Sequence, residues 1–409
     1  MKFSILTLGC KVNQSESVFI EGNLVKNGFI PVTIYDRPDF CIINTCSVTS
    51  KSDYQSRQII RKCVKTGAKV IVTGCYSQLN PEEVKQIDDS IIIVENNNKY
   101  NIINMLNNNN KTNTFNYNLR SRPYVKVQDG CNYSCAYCVI PHARGQSKSL
   151  NFQNVLNQVL ELQEEGFNEI VITGINLGLY GKDFKPQKKL SHLIKFLLNN
   201  TKIKRFRLSS LEPNEIDKEI IELLNESRIC NHIHIPLQSG DDKILKLMRR
   251  NYTINKYTRI IEDIYNKVPN VSIGSDIIVG FPGEGVNEFN NTKNVIRSLP
   301  FSYLHIFTFS QRPKTISYSM PDQIPVYTKK ERAKEINAIN ISKKQSYMES
   351  MIDNCLDIII EDKCYDGSFI GTSSNYLKVN IFTNAYNKKS LVTVRIIGVE
   401  NNTLIGNPL

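Results

Sequence analysis

Cys131, Cys135 and Cys138 stand in the run CNYSCAYC, a C-x3-C-x2-C spacing that follows directly on the strand-like YVKVQDG. Three thiolates on one tight loop bind a metal or a cluster. A cluster of four irons and four sulfides held by only three cysteines leaves one iron open, and an open iron can chelate the amino and carboxylate groups of S-adenosylmethionine. Tyr137, beside the last cysteine, suits a contact over the adenine of that cofactor, and equally a packing role. Zinc is the rival guest, because His142 follows Cys138 at C-x3-H and would complete a four-coordinate Cys3His site. Zinc modules of that kind are short and free-standing. This loop instead leaves the first strand of a long strand–helix alternation, which favours the cluster.

A second set has no local motif. Cys10, Cys46 and Cys75 each close an apolar run: FSILTLGC, FCIINTC and VIVTGC. Parallel strands deliver their C-termini to one edge of a sheet, so three thiols far apart in sequence would converge there and a second cluster with an open iron could form. Cysteine is also a common small buried hydrophobe, and that reading stands beside the first. Cys41, Cys63, Cys230, Cys355 and Cys364 match no ligand pattern and read as core or surface thiols. The cysteines number eleven, an odd set, and the opening MKFSILTLGC reads as a strand rather than a cleavable signal. Metal or redox chemistry in the cytoplasm is therefore expected, not a disulfide framework.

The elements that must position these residues follow from the apolar pattern. Over the first ninety-odd residues, runs such as FSILTL, FCIINT and KVIVTG alternate with helical stretches, a βαβ series that predicts an open parallel sheet. Between Asn96 and Asn118 the composition collapses into Asn, the mark of a linker, with one helix expected around Ile102 to Leu106. From Arg122 a longer alternation places strands at YVKVQ, EIVITG, KRFRLSS, HIHIPL, VSIGSDIIVGF and FSYLHIFTF. Six strands with helices between them predict an α/β partial (β/α)6 barrel, followed by a helix over about Thr328 to Asp353. After Cys355, short strands separated by Gly, Asn and Ser turns predict a small C-terminal all-β barrel. The divisions drawn are residues 1–95, a linker 96–120, a core 121–344 and a β-domain 345–409.

Such barrels put their chemistry at the strand C-termini. Gly174 and Asn176 in TGINLG, Glu212 after RLSS, Gln238 and Ser239 in PLQSG, and Asp276 in GSDIIVGF fall there and form a candidate surface for S-adenosylmethionine. Arg144 and Arg207 suit a methionine carboxylate, a phosphate or a plain salt bridge. FPGEG lacks a following phosphate-loop lysine, so Gly283 and Gly285 read as backbone freedom near the cofactor.

Composition sets the broad class. A chain of 409 residues, 41% hydrophobic and 22% charged, is that of a soluble folded protein of two to four domains, with no apolar run long enough for a membrane span. Lys and Arg number 51 against 39 Asp and Glu, a net charge of +12. That excess fits a polyanionic partner, or lysine-rich helix faces that are merely solvated.

With these residues in view, the chain resembles the radical S-adenosylmethionine superfamily and, within it, the methylthiotransferases. The segments LGCKVNQSES, NTCSVT, TGCYSQ, QDGCNYSCAYCVIPHARG, RLSSLEP, HIHIPLQSGDDKILKLMRR and DIIVGFPGE carry the resemblance over nearly the whole length. GCKVNQ is similar to the branch acting on N6-threonylcarbamoyladenosine in tRNA, and His142 departs from the tyrosine common among relatives. The resemblance implies two 4Fe-4S clusters, on Cys131/Cys135/Cys138 and on Cys10/Cys46/Cys75, and two S-adenosylmethionine molecules per turnover. One molecule gives a methyl group and the other a 5′-deoxyadenosyl radical, while the second cluster holds or donates sulfur. It implies methylthiolation at C2 of the adenosine at tRNA position 37, an anticodon stem-loop as partner, and a reductant such as flavodoxin or ferredoxin. The C-terminal segment is similar to the TRAM-type RNA-binding barrel, in which Tyr376 would stack on a base and Lys378 meet a phosphate. Arg144 and Lys11 are candidates for the threonyl carboxylate. Other readings are the same chemistry on isopentenyladenosine or on a ribosomal-protein aspartate, a zinc RNA-binding protein without turnover, and a two-cluster electron carrier.

Overall fold

The computed structural model describes residues 1–106, 120–364, 366–383 and 386–409. Five parallel strands form the first sheet: β1 (Lys2–Thr7), β2 (Ile30–Pro31), β3 (Phe40–Thr45), β4 (Lys69–Gly74) and β5 (Ile92–Ile93), in the order β2-β1-β3-β4-β5. Alternate residues of β3 and β4 face opposite sides. Cys41, Ile43, Val70 and Val72 pack with Ile60 of one helix, while Ile42 and Ile71 pack with Phe3, Ile20 and Leu24 on the other side. A sheet covered on both faces requires these continuous apolar runs. At the C-terminal edge the chain turns too tightly for ordinary side chains. Gly74 has a φ of +101°, and a Cβ there would lie 2.3 Å from the Thr45 carbonyl oxygen.

The expected helix near Ile102 runs over Asn101–Leu106, and residues 107–119 of the Asn-rich stretch lie outside the described residues. The central region then opens with β6 (Tyr124–Lys126), followed by a short antiparallel pair, β7 (Gln128–Asp129) and β8 (Lys148–Ser149), that brackets the cysteine loop. Five further strands are β9 (Glu169–Thr173), β10 (Arg205–Leu208), β11 (His232–His234), β12 (Ser272–Val279) and β13 (Tyr303–Thr308). They form two parallel sheets, β10-β9-β6 and β11-β12-β13. Backbone pairing of Phe206 with Ile229, and of the Leu211 amide with the His234 carbonyl at 3.0 Å, joins them into a six-stranded partial barrel. Ile170, Ile172, Phe206 and Leu208 meet Val155, Val159, Leu193 and Leu197 of the surrounding helices in one core. Strand periodicity turns the intervening residues Arg205, Arg207, His232 and His234 to the opposite side.

A helix over Val326–Glu349 leads to a closed barrel of β14 (Cys355–Lys363), β15 (Phe369–Ser373), β16 (Lys378–Ile381), β17 (Leu391–Glu400) and β18 (Thr403–Pro408). Ile358, Ile360, Val379, Val394 and Ile396 fill it together with Met348 and Met351. The barrel is seated by polar bonds rather than by grease. Arg205 donates to the carbonyls of Asp357 and Thr372 at 2.7 and 2.8 Å, and Arg207 to those of Ser373 and Ser374 at 2.8 and 3.0 Å. Among the described residues no helix is long and apolar enough to cross a membrane.

Candidate cluster sites and the cavity between them

The loop carrying Cys131, Cys135 and Cys138 is fixed from three sides. The Cys131 amide donates to the Gly145 carbonyl at 3.0 Å, and the Ala136 amide to that of Met248 at 3.0 Å. Gly130, with a φ of +72°, brings the backbone so close that a Cβ would stand 2.1 Å from the Gln146 carbonyl oxygen. The buried Gln128 side chain donates to the Gly130 carbonyl at 2.8 Å and accepts from the Asn176 amide at 2.9 Å, tying the loop to the end of β9. Three donors reach the sulfurs: the Tyr133 amide and Asn176 Nδ2 approach Cys131 Sγ at 3.4 and 3.8 Å, and Arg250 Nη1 approaches Cys135 Sγ at 3.4 Å. Donors aimed at sulfur favour thiolate over thiol. Burial acts the other way, raising Cys131 and pushing Cys138 up to about 12.

Cys10, Cys46 and Cys75 lie at the ends of β1, β3 and β4, as the apolar runs predict. A Cβ on Gly9 would come within 2.7 Å of Cys46 Sγ, so only glycine lets this corner close. Burial pushes Cys46 up to about 11, with Cys75 and Cys10 adding as neighbouring charges, and burial also raises Cys75. Arg144 reaches Cys75 and opposes that rise. The three thiols therefore share one electrostatic neighbourhood. Neither triplet gathers its sulfurs as a single ion would require: among the described residues, the set whose ligand atoms all lie within 4.8 Å of one another is His234, Asp276 and His305. His142 is exposed. Wider-spread thiols with donors around them suit a polynuclear cluster better than a Cys3His zinc site.

The sequence reading did not single out the device that joins the two triplets. Glu16, buried on the Lys11–Lys26 helix, pairs with Lys99, with Lys126 at 2.9 Å and with Arg144 at 2.9 Å, and Arg144 also pairs with Asp129 at 2.8 Å. Asn13 accepts from Arg144 Nη2 at 2.5 Å and donates to the carbonyls of Leu8 and Thr45 at 2.7 and 2.9 Å. Lys99, Arg144 and Lys126 hold the Glu16 carboxyl well below its usual range against the effect of burial. Arg144 is thus committed to a structural ion pair and is not free for a substrate carboxylate. Two polar residues three apart within GCKVNQSES, lying on one helix face, were the available signal.

Between the sheet edge and the barrel rim lies a cavity of about 1350 Å³, lined by Cys10, Lys11 and Cys46 on one wall and by Gly174, Asp276, His305 and Tyr376 on others. Of the expected rim residues, Gly174 and Asp276 face it directly. Asn176 sits beside Cys131 with its buried Oδ1 lacking a hydrogen-bond partner, an acceptor that a bound molecule would satisfy. Asp276 lies 3.2 Å from His234 Nε2 and 3.3 Å from His305 Nδ1, and those contacts keep its carboxyl below the usual range despite burial. Glu212 pairs with Arg250, the residue that reaches Cys135, while burial raises its carboxyl. Tyr137 packs edge-on against Phe281 at 6.4 Å. Gln238, with a φ of +64°, uses its amide and carbonyl to bridge β12, and Ser239 lies 3.3 Å from the Thr292 hydroxyl. Arg207 is fully buried and paired with Glu169 at 2.8 Å.

Tyr376 reaches this cavity from the C-terminal barrel, its ring 4.4 Å from His232 and 5.9 Å from Tyr303. Lys378 lies on the outer side, paired with Glu361. Lys11 extends over the Tyr376 ring at 5.8 Å, and burial together with Arg207 and Arg122 pushes it down to about 8.

Residues 125–296 match the radical SAM superfamily, and residues 2–95 match a family described as uncharacterized protein family UPF0004. Threonylcarbamoyladenosine tRNA methylthiotransferase MtaB of Aquifex aeolicus is 35% identical over 373 residues, covering 85% of this chain and 90% of that protein. The chain belongs to the radical S-adenosylmethionine tRNA methylthiotransferases. The Bacillus subtilis protein of the same name is also 35% identical, over 91% of this chain and 88% of its own. A tRNA-2-methylthio-N(6)-dimethylallyladenosine synthase of Clostridium botulinum is 29% identical over the full chain and 97% of its own length. In fold, this methylthiotransferase is similar to the radical S-adenosylmethionine methyltransferase TsrM of Kitasatospora setae, with a TM-score of 0.57 at 12% identity over 78% of this chain and 75% of that one. S-adenosylmethionine and 4Fe-4S clusters are the cofactors of the methylthiotransferase, and the donors around the two cysteine triplets fit such clusters.

Proposed function

We propose that the enzyme acts on N6-threonylcarbamoyladenosine at position 37 of tRNA, placing a methylthio group on C2 of the base. The observation that carries this reading is the character of the cavity. An isopentenyl group asks for apolar walls, whereas a threonyl carboxylate is anionic at neutral pH and asks for a cation or backbone donors. Here Lys11, Lys51 and His305 stand among the apolar residues that line the cavity beside Cys10 and Cys46, and the relatives of 35% identity carry the threonylcarbamoyl name while the isopentenyl-type relative stands at 29%.

In this reading Cys131, Cys135 and Cys138 hold one cluster and Cys10, Cys46 and Cys75 the other, with Gly174, Asn176 and Asp276 against the cofactor and Tyr137, Glu212 and Gln238 behind them. The two clusters and S-adenosylmethionine supply, when bound, a carbon radical, a methyl group and sulfur. The protein's own task is placement. Glu16, Asn13 and Arg144 lock the sheet edge to the barrel rim, and the walls keep water from the base while it is held between the two triplets. Residues 1–95 serve sulfur delivery, 121–344 radical generation and 345–409 RNA binding, in a cytoplasmic enzyme reduced by a flavodoxin- or ferredoxin-like partner.

Expression in cells lacking their own methylthiotransferases, followed by mass spectrometry of tRNA nucleosides, is expected to show the methylthio product on threonylcarbamoyl-bearing adenosine. Product on isopentenyladenosine, or on a ribosomal protein with tRNA untouched, overturns the acceptor assignment. Binding of tRNA should weaken steeply with salt, and Lys378→Gln should lower the slope of log K against log salt by about one if that side chain meets a phosphate. An unchanged slope removes Lys378 from the interface. Truncation at residue 345 is a poorer test, since it cuts the Val326–Glu349 helix and strips Arg205 and Arg207 of their carbonyl partners.

A further inference from the structure

Among the described residues, the carboxylate that lines the cavity, Asp276, and the buried Glu16 and Glu169 are already engaged. Glu16 is shared by Lys99, Lys126 and Arg144; Glu169 by Arg122, Arg205 and Arg207; Asp276 by His234 and His305. Lys11 differs from all those cations. Among the described residues its ammonium has no ion pair and no hydrogen bond, and its neighbour is the face of the Tyr376 ring. A half-buried cation with no partnering anion is costly unless one arrives with the ligand.

The backbone adds to the same field. Lys11 opens a helix of sixteen residues whose N-cap, Cys10, makes no side-chain cap bond and whose first turn holds no acid, so the positive end of the helix lies beside the cavity that Cys10, Lys11 and Val12 line. Facing it are flat surfaces for a base: Tyr376 stands 5.9 Å from Tyr303, which stands 5.3 Å from His305. A base drawn from an anticodon loop into such a space leaves its phosphates outside. The anion that enters with it is the one attached to the base itself.

We propose that Lys11 is the specificity residue for the acceptor, its ammonium binding the carboxylate of the N6-threonylcarbamoyl group; this rests on the acceptor reading given above. The residue next to a cysteine of the second triplet would then fix which adenosines are held there.

The test uses anticodon stem-loop RNAs carrying N6-threonylcarbamoyladenosine, its neutral carboxamide counterpart, or isopentenyladenosine, with the holoenzyme and its Lys11→Met and Lys11→Arg variants. Stem-loop affinity, kcat/KM and iron content are measured for each. The holoenzyme should prefer the carboxylate RNA over the carboxamide by about 10- to 100-fold in both affinity and kcat/KM, as expected for a charge-assisted bond. Lys11→Met should compress that preference to within about twofold, and Lys11→Arg should retain most of it. A preference that survives in Lys11→Met overturns the inference alone. So does an equal loss on both RNAs, which assigns Lys11 to a phosphate, or a loss of iron, which assigns it to support of the cluster. Wild-type turnover of the isopentenyl RNA without turnover of the threonylcarbamoyl RNA overturns the acceptor reading, and this inference with it.

Discussion

Replacing Cys131, Cys135 and Cys138 together by alanine should halve the iron bound by the anaerobically reconstituted enzyme, from about eight atoms to about four, and abolish cleavage of S-adenosylmethionine. The companion replacement of Cys10, Cys46 and Cys75 should also halve the iron yet leave cleavage in place, while stopping methylthio transfer. The asymmetry follows from the surroundings of the two sets. The barrel triplet has Asn176 with an unsatisfied acceptor at its side and Arg250, paired with Glu212, reaching Cys135, as a cofactor-cleaving site needs. Cys10 and Cys46 of the sheet triplet line the cavity beside Lys11, as a sulfur-delivering site needs. Zinc should stay near background in the wild-type protein. Full iron in either triple variant would refute that ligand set.

The second large effect is expected at a buried carboxylate rather than at a cluster cysteine. Glu169→Ala should lower the stability of the chain by about 3–5 kcal/mol, read as a shift in denaturant midpoint, because it leaves three arginines facing one another at a buried site without their common counter-charge. Arg205 lies 2.6 Å and Arg207 2.8 Å from the carboxylate, and both continue into the C-terminal barrel. Arg205, Arg207 and Arg122 hold the Glu169 carboxyl below its usual range against the opposing effect of burial. A depressed carboxyl contributes its stability above the ordinary value of 4.5 and loses it as pH falls toward the folded value, so the gap between wild type and variant should close on acidification below 4.5. Glu361→Ala, which removes a more exposed partner of Arg122, should cost about 1 kcal/mol or less. Comparable losses from the two variants would mean that the buried cluster is not what seats the barrel.

Much of the architecture was legible because burial imposes periodicity. The runs FCIINT and KVIVTG sit at the centre of the first sheet, covered on both faces, and all six strands expected after Arg122 are present in the partial barrel. The helix expected over Thr328 to Asp353 begins at Val326 and ends at Glu349, since Pro325 can precede a first turn while Met351 turns inward to the C-terminal core. The resemblance makes Tyr376 a base-stacking residue of the C-terminal barrel. It occupies a turn with a φ of +68° and points into the cavity shared with Lys11, a placement set by how the barrel docks and not by any local pattern.

The division between sequence and tertiary structure is clearest in the charged residues. Spacing alone determined that Cys131, Cys135 and Cys138 share one loop, because seven intervening bonds of chain leave them nowhere else to go, and apolar strand length determined that Cys10, Cys46 and Cys75 end on one edge. Neither depends on how the domains meet. Only the tertiary structure decided which of the many cations are spent on buried carboxylates, Arg144 on Glu16 and Arg207 on Glu169, and that Lys11 is left facing the cavity. An ion pair between residues 128 positions apart has no signature in composition or periodicity, since its energy arises only when folding removes both partners from water.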